Sequence, residues 1–553
     1  MVNGCACRIF AVRKPVFSGL FRIGDCAWLE RKVMQKAGET PVEEGGEQDA
    51  AAAVRKLSSS RTVAMSALWN LVGRAGPLVV AVLCTPQLVH RLGPSRWGVF
   101  TIALSLVGIF SIFDFGIGRS LTRTIAELLA EDRAREAADV ARSGILALTV
   151  LGTIGGLVMA SVAHFWVYSV IPHALQHEVL YALLVLCLSA PLVILNSALW
   201  GVIAAYQEFR SANLVNVPIM AMYYIGPLLM LHFYDSLVGV IATLVMCRVV
   251  MTIAYWRICV RAMPELKTAK SSMATLKPVL QMGGWMTASN LTFPLLTYMD
   301  RFIIASVSTT AAIGYYSTPS DLVQRFNLLP IAIMNTAYPA MAASYRTDPE
   351  NTRALFRRGM LTVGAGLFPA CLVCVALSHW VLTLWLGADF AGHAAVVLKW
   401  LGVGILLSSI DNVVAGLLDS IGKAKVNTIF SFGEIVVYLP LLAFLVRQQG
   451  IEGAAIAWAI RCILDLGVRL WIVQRFYQPA RQAVVQVWPF LLGMTATLVA
   501  AAMAEGSAFA PYVSAAGVLL FVVLLWGALS ADERTKLSLQ AGRLLPLLSG
   551  ASR

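Results

Sequence analysis

From Arg61 onward, apolar runs of roughly 20 residues alternate with short polar links. A helix rises about 1.5 Å per residue, so about 20 apolar residues cross a ~30 Å hydrocarbon core. Fourteen such runs can be drawn, at approximately 64–89, 97–118, 144–170, 178–202, 214–233, 237–257, 284–306, 313–342, 361–385, 394–417, 427–446, 452–474, 486–504 and 511–530. No stretch shows the short alternating strands of an outer-membrane barrel. The pattern predicts an all-α polytopic membrane protein of about 14 transmembrane helices. Prolines inside the runs, Pro77, Pro191 and Pro330 among them, fit membrane helices, where neighbours or water satisfy the freed carbonyl.

Composition sharpens this. The chain is 58% hydrophobic and 13% charged, with a mean hydropathy of +0.73. Soluble domains carry roughly 25% charged residues, so a soluble protein of this composition would lack the polar residues to cover its surface. Residues 1–61 hold ten Lys/Arg and seven Asp/Glu without a spanning run. They are expected to form a disordered cytosolic extension rather than a signal peptide, and Met34 could open a shorter chain. The ten cysteines form no framework. Cys84, Cys187, Cys247, Cys371, Cys374 and Cys462 lie in apolar runs, where they act as small hydrophobes.

Of the 43 Lys and Arg residues, seven fall well inside the runs and three (Arg91, Arg96 and Arg447) in links of one side, with Arg257 at the end of its run counted in the link that follows. The other 33 collect in the N-terminal extension, the alternate links and the C-terminal tail. By the positive-inside rule that side is cytoplasmic. Both termini then lie in the cytosol, which requires an even number of spans.

The chain contains an internal duplication. Trp97-Gly-Val-Phe recurs as Ile313-Gly-Tyr-Tyr, Asn213 as Asn427, Leu237-Val-Gly-Val-Ile-Ala as Ile451-Glu-Gly-Ala-Ala-Ile, and Trp256 as Trp471. The offset is nearly constant and covers six spans, so the copies are parallel repeats. The expected architecture is two parallel six-helix lobes, 62–258 and 284–476, around a central cavity. A cytoplasmic linker at 259–283 joins them, two further helices occupy 486–530, and a cytosolic tail covers 531–553. Two such lobes form a common transporter plan with alternating access between them.

The basic residues inside the runs are Arg74, Arg248, Arg301, Arg325, Lys399, Arg461 and Arg469. Such residues are costly in lipid, about 2.5–3.5 kcal/mol each at a helix centre, and usually face a wet cavity or a partner. Arg74, Arg301 and Arg325 are the cavity candidates, because their spans open each lobe. Guanidinium forks suit phosphate, so a pyrophosphate-linked cargo fits. Asp321 and Arg325 are four apart and can pair. Asp300 and Arg301 point about 100° apart on a helix and need not. Asp300 and Asp321 are candidates for orienting the site or for coupling. Lys399 and Glu434 are coupling candidates, since burial moves such groups toward neutrality. Arg461, Asp465 and Arg469 form an i, i+4, i+8 ladder read as structural. In the link after the second run, Arg119, Arg123, Glu127, Glu131 and Arg135 form an i, i+4 stripe expected on one surface helix.

Walker A loops, metal-ligand clusters and dinucleotide-binding turns are absent from the sequence. Nothing calls for a cofactor, a bound metal or a nucleic-acid partner. Several stretches resemble a known family. Arg91-Leu-Gly-Pro-Ser-Arg-Trp-Gly-Val-Phe followed by Phe113-Asp-Phe-Gly-Ile-Gly resembles the first helical hairpin of the polysaccharide biosynthesis flippases. These are translocases of the multidrug/oligosaccharidyl-lipid/polysaccharide exporter superfamily. Ala205-Tyr-Gln-Glu-Phe, Asp300-Arg-Phe-Ile-Ile, Gly314-Tyr-Tyr-Ser and Leu384-Trp-Leu-Gly-Ala-Asp-Phe resemble the same family, over roughly 64–476.

The resemblance implies a two-lobed, V-shaped transporter of the bacterial inner membrane, driven by an ion gradient or the membrane potential. It implies flipping of an undecaprenyl-pyrophosphate-linked oligosaccharide to the periplasmic leaflet for O-antigen, capsule or exopolysaccharide synthesis. Cationic residues on spans 1, 7 and 8, matching Arg74, Arg301 and Arg325, would engage the pyrophosphate. Membrane lipids and a polysaccharide polymerase or export machinery are the expected partners. Three rivals remain at this level. A cation-coupled drug exporter would favour acidic cavity residues. A membrane glycosyltransferase or polymerase would carry a larger outer loop than the short links here. A non-transporting scaffold for glycan assembly is the third.

Overall fold

The computed structural model describes residues 60–110, 117–273, 295–504 and 510–529, with 292 and 534 besides, and side chains from residue 76. The N-terminal extension, the last ten residues of the 259–283 linker, the start of the seventh run and nearly all of the C-terminal tail lie outside the described residues. Every regular element described is helical. The helices are α1 (Ser60–Phe110), α2 (Ile117–Ala130), α3 (Ala134–Val170), α4 (His173–Cys187), α5 (Ala190–Ala205), α6 (Phe209–Phe233) and α7 (Leu237–Ala262). Then come α8 (295–307), α9 (Thr310–Gln324), α10 (Leu328–Ser344), α11 (Pro349–Ala376), α12 (Ser378–Leu386), α13 (Ala388–Ser420), α14 (Ala424–Phe476), α15 (Pro479–Ala504) and α16 (Ala510–Ala528).

These map onto the fourteen apolar runs. α1 bends at Gly93 (φ 72°) and α14 at Gly450 (φ 62°), each at the polar link between two runs. Only glycine enters that region cheaply, so each long helix is two spans joined at a sharp turn. Conversely, α4 with α5, and α9 with α10, each make one run from two pieces. Polar links supply the caps. Ser236, Thr309 and Asp348 accept from the backbone N–H groups of Gly239, Ala312 and Asn351, covering donors that the first turn of a helix leaves unpaired.

The link after the second run departs from expectation. α2 buries Ile117, Leu121 and Ile125 and exposes the Arg123–Glu127 pair at 2.8 Å. The helix stops at Ala130, and Asp132 takes a left-handed φ of 59°. Arg133 in that turn binds Glu131 and Glu136 at 2.7 and 2.6 Å. The charged stripe is therefore cut in two rather than continuous on one helix, because the turn closes its own ion pairs.

Helices α3–α7 pack chiefly on α1 and one another, and α10–α16 mainly among themselves. The principal seam between the two groups is α1 against α9. Gly98 and Gly314, the glycines matched by the duplication, meet there. A methyl on Gly98 would sit 1.8 Å from the Thr310 carbonyl oxygen, and one on Gly314 would sit 2.9 Å from the Trp97 ring. Two matched residues touching each other are what a pseudo-twofold between repeats produces. The Trp97 indole N–H donates to Thr318 Oγ1 at 2.7 Å across the same seam. We expect Gly98→Ala to lower stability by about 3 kcal/mol, because the obstacle is backbone on the facing helix and overpacking costs of this order follow. Thermal unfolding in detergent, with Gly76→Ala as an unobstructed control, measures it; equal melting temperatures would refute it.

Candidate functional site: a cationic cavity between the two helix groups

A cavity of about 520 Å³ lies where α1, α4, α6, α7, α8, α9 and α10 converge. The helices contribute short stretches: Pro77 to Ala81 and Leu104 to Gly108 from the two spans of α1, Leu186 from α4, Asn216 to Tyr224 from α6, Leu244 and Arg248 from α7, Tyr298 and Arg301 from α8, and Asp321 from α9. Arg325, in the 3-10 turn joining α9 to α10, completes it. Its charged lining is thus Arg248, Arg301, Arg325 and Asp321 among the described residues.

Arg301 is only 3% exposed. Its Nη1 donates to the Thr101 carbonyl at 3.2 Å and to Ser105 Oγ at 2.5 Å, both on α1. Its Nη2 donates to Asp321 Oδ1 at 2.5 Å on α9. One side chain thus fastens α8 to helices of both groups. Its guanidinium also lies 5.8 Å from the Tyr298 ring centre. Asp300, equally buried, turns elsewhere. It accepts the Tyr316 hydroxyl at 2.7 Å and the Arg301 backbone N–H at 2.8 Å.

The expected i, i+4 pair between Asp321 and Arg325 does not form. Asp321 is taken by Arg301. The α-helix ends at Gln324, and Arg325 opens a 3-10 turn, whose tighter winding carries it off the Asp321 face. Arg325 is left exposed to the cavity beside the Tyr224 hydroxyl. Arg248 lies with its guanidinium 5.0 Å from the Tyr223 ring centre. Among the described residues neither Arg248 nor Arg325 joins an ion pair. Sequence reading marks Arg248 as intramembrane yet does not place it in the cavity; its i, i+4 relation to Leu244 and the neighbouring tyrosines are the signals for it.

The remaining candidates scatter. Arg74 falls on α1, but its side chain lies outside the described residues. Lys399 is half-buried on α13 and does not line this cavity. Glu434, Arg461, Asp465 and Arg469 gather instead around α14. The ladder is only partly intrahelical: Arg461 pairs with Asp465 at 3.4 Å, while Arg469 reaches Asp411 and Glu434.

A smaller recess shares Leu78, Ala81, Leu104, Tyr224, Asp321 and Arg325 with the main cavity, and Trp97 and Trp385 line it. The Trp385 indole N–H donates to the Val82 carbonyl at 2.8 Å, a second tie between the groups.

Residues 63–345, just over half of the chain, match the polysaccharide biosynthesis protein family. The chain belongs to this family. It is 27% identical over 421 residues to a Shigella flexneri protein named "Putative O-antigen transporter", covering 75% of this chain and 98% of that one. Two solved structures share the fold. One is an inward-facing multidrug resistance MATE family transporter of the MOP superfamily, with a TM-score of 0.61 at 14% identity over 74% of this chain and 99% of that one. The other is the lipid II flippase MurJ in an inward closed conformation, with a TM-score of 0.61 at 13% identity over 83% of this chain and 97% of that one. The family member described here is a multi-pass membrane protein that shares the fold of these two transporters.

Proposed function

We propose that this protein flips an oligosaccharide linked to undecaprenyl pyrophosphate across the bacterial inner membrane by alternating access. The observation that carries the reading is the pair Arg248 and Arg325: two guanidiniums facing a cavity of about 520 Å³ without a carboxylate partner among the described residues. Arginines without counter-ions in a cleft walled by apolar helices attract an anion strongly. The sole acidic lining residue described, Asp321, is already held by Arg301, which disfavours a cationic cargo and hence the drug-exporter alternative. Arg74, on the helix that supplies Leu78 and Ala81 to the lining, is proposed from its residue type as a further pyrophosphate ligand.

In this reading residues 62–258 and 284–476 are the two lobes. Both termini are cytoplasmic, and the Trp97–Thr318 and Trp385–Val82 ties close the periplasmic side. Arg301 and Asp300 set the geometry, with Asp321 as the counter-charge that the cargo displaces. Curated and structural relatives named as an O-antigen transporter and a lipid II flippase support the cargo class. The product would pass to a polysaccharide polymerase or export machinery.

The test is reconstitution. Vesicles containing the purified protein are expected to move a fluorescent undecaprenyl-pyrophosphate oligosaccharide out of reach of a membrane-impermeant quencher, and to leave a cationic dye in place. Dye movement without sugar-lipid movement would overturn the reading in favour of the drug exporter.

A further inference from the structure

A recess of about 510 Å³ lies between α6 and α7, lined by Met222, Gly226 and Met230 of the first and Met246, Cys247 and Val250 of the second among others. Met222, Met246 and Val250 are exposed there, so the recess opens on the outer, lipid-facing side of the bundle. Among the described residues its lining holds no charged side chain. Its one hydroxyl, on Thr243, donates to the Val240 carbonyl of its own helix at 2.7 Å.

The duplication supplies the comparison. A second recess, of about 370 Å³, lies between the two spans of α14. At the spacing that pairs Trp256 with Trp471, Ile219, Met246 and Val250 of the first recess correspond to Glu434, Arg461 and Asp465 of the second. In the second, Arg461 pairs with both carboxylates, and an apolar guest would have to desolvate that network. The first presents apolar side chains at the same three positions. One groove was thus built twice, and only the copy between α6 and α7 suits an apolar chain.

Continuity with the cationic cavity decides what enters it. α6 and α7 line both spaces. Consecutive residues point about 100° apart on a helix; Met222 lines the recess and Tyr223 the cavity, and Cys247 and Arg248 divide in the same way. A molecule held by Arg248 therefore has the recess one helix-width away, about 10–12 Å. A ligand with an anionic head and a long apolar chain is the kind that uses both. Methionine, unbranched and polarizable, moulds itself to irregular apolar shapes.

The seam between the two helices is built to part. Across it Arg248 lies 5.0 Å from the Tyr223 ring centre, and an anion that draws on Arg248 weakens that tie. Pro227, inside α6, has no N–H for the Tyr223 carbonyl, so the helix can bend at that turn. Gly226 beside it brings no side chain to the crossing, and a methyl there would meet only Thr243, at 3.5 Å.

We propose that the recess between α6 and α7 receives the polyprenyl chain of the cargo lipid, threaded through the α6–α7 seam while the pyrophosphate rests at Arg248 and Arg325. This assignment rests on the transport reading above.

The full chain in nanodiscs tests it, with undecaprenyl pyrophosphate carrying a photoactivatable diazirine in the isoprene units nearest its head. Adducts are expected within residues 219–230 and 239–250, competed away by unlabelled undecaprenyl pyrophosphate and not by phosphatidylglycerol. Ala242→Phe/Val250→Phe, which fills the recess from its lipid side, is expected to lower their yield several-fold. Dimethylallyl pyrophosphate, too short to leave the cavity, should bind this variant and the parent equally. Adducts confined to α15 and α16, where Leu492, Leu519 and Val523 are exposed, overturn the assignment. So does equal competition by phosphatidylglycerol, which would make the recess an ordinary lipid contact; this arm needs only the parent protein. If dimethylallyl pyrophosphate fails to bind the parent, the anion site of the transport reading fails. Diazirine-bearing undecaprenol, which lacks the charged head, then decides the recess: adducts at 219–230 and 239–250 keep it as a prenyl site, and adducts elsewhere remove it.

Discussion

The Arg248→Gln/Arg325→Gln double variant is expected to bind a fluorescent prenyl pyrophosphate about 100-fold more weakly than the parent protein, with little change in melting temperature. Each guanidinium–phosphate contact contributes about 2 kcal/mol when both groups are charged. Two such losses would amount to about 10²- to 10³-fold, and residual contacts hold the effect near the lower figure. Stability should change little because neither arginine serves the fold through an ion pair among the described residues. Arg248 forfeits only its place over Tyr223, a contact of about 1 kcal/mol, and Arg325 stands exposed in its turn. Glutamine retains a polar side chain in the wet cavity and removes the charge. Titration in nanodiscs measures the affinity, with Arg346→Gln as the control, since Arg346 is exposed and lies outside the cavity. Unchanged affinity in the double variant would remove the anion site from this cavity, whatever the relatives carry.

The architecture is legible in the sequence because lipid imposes a simple demand. Every span must satisfy its own backbone and present apolar side chains, so run length alone counts the helices. The duplication is legible for a different reason. Gly98 and Gly314 match in sequence, and the contact between them cannot tolerate a side chain on either. What the sequence does not disclose is which face of each helix looks inward. Arg248 and Arg301 are both intramembrane arginines in one dimension. Only packing shows that Arg301 is spent on Thr101, Ser105 and Asp321 while Arg248 is not. The Asp321–Arg325 spacing misleads because helical i, i+4 logic assumes that the helix continues, and this one changes to a 3-10 turn at Arg325. The α14 charges mislead in the same direction. An i, i+4, i+8 ladder looks self-contained on one helix, yet Glu434 and Asp411 enter it from 27 and 58 residues away.

Arg301→Ala is expected to lower stability by about 3 kcal/mol, the low end for breaking a buried pair, since Asp321 keeps 39% of its side chain exposed to the cavity. The same substitution should loosen the seam between α1 and α9, which Arg301 ties from both sides. Arg301→Lys should recover little of this. An ammonium is a point charge that cannot reproduce the planar fork spanning Thr101, Ser105 and Asp321. The informative companion is Asp321→Asn. If the loss in Arg301→Ala comes from a stranded carboxylate, adding Asp321→Asn restores part of it, and the double-mutant cycle shows coupling of about 1 kcal/mol or more. Additive losses would mean that Arg301 acts through packing alone. Thermal unfolding in detergent supplies all four corners. The distinction bears on transport, because Arg301 Nη2 holds the carboxylate that faces the cavity, and an anion entering there meets that pair first. Asp321 is the one of its three partners that is a carboxylate, and so the one an anion can replace in kind. A pyrophosphate entering between Arg248 and Arg325 would compete with Asp321 for Arg301 Nη2, and success in that competition releases α9 from α8. Arg301 would then convert cargo binding into movement, and its loss should reduce the flipping rate more steeply than it reduces cargo affinity.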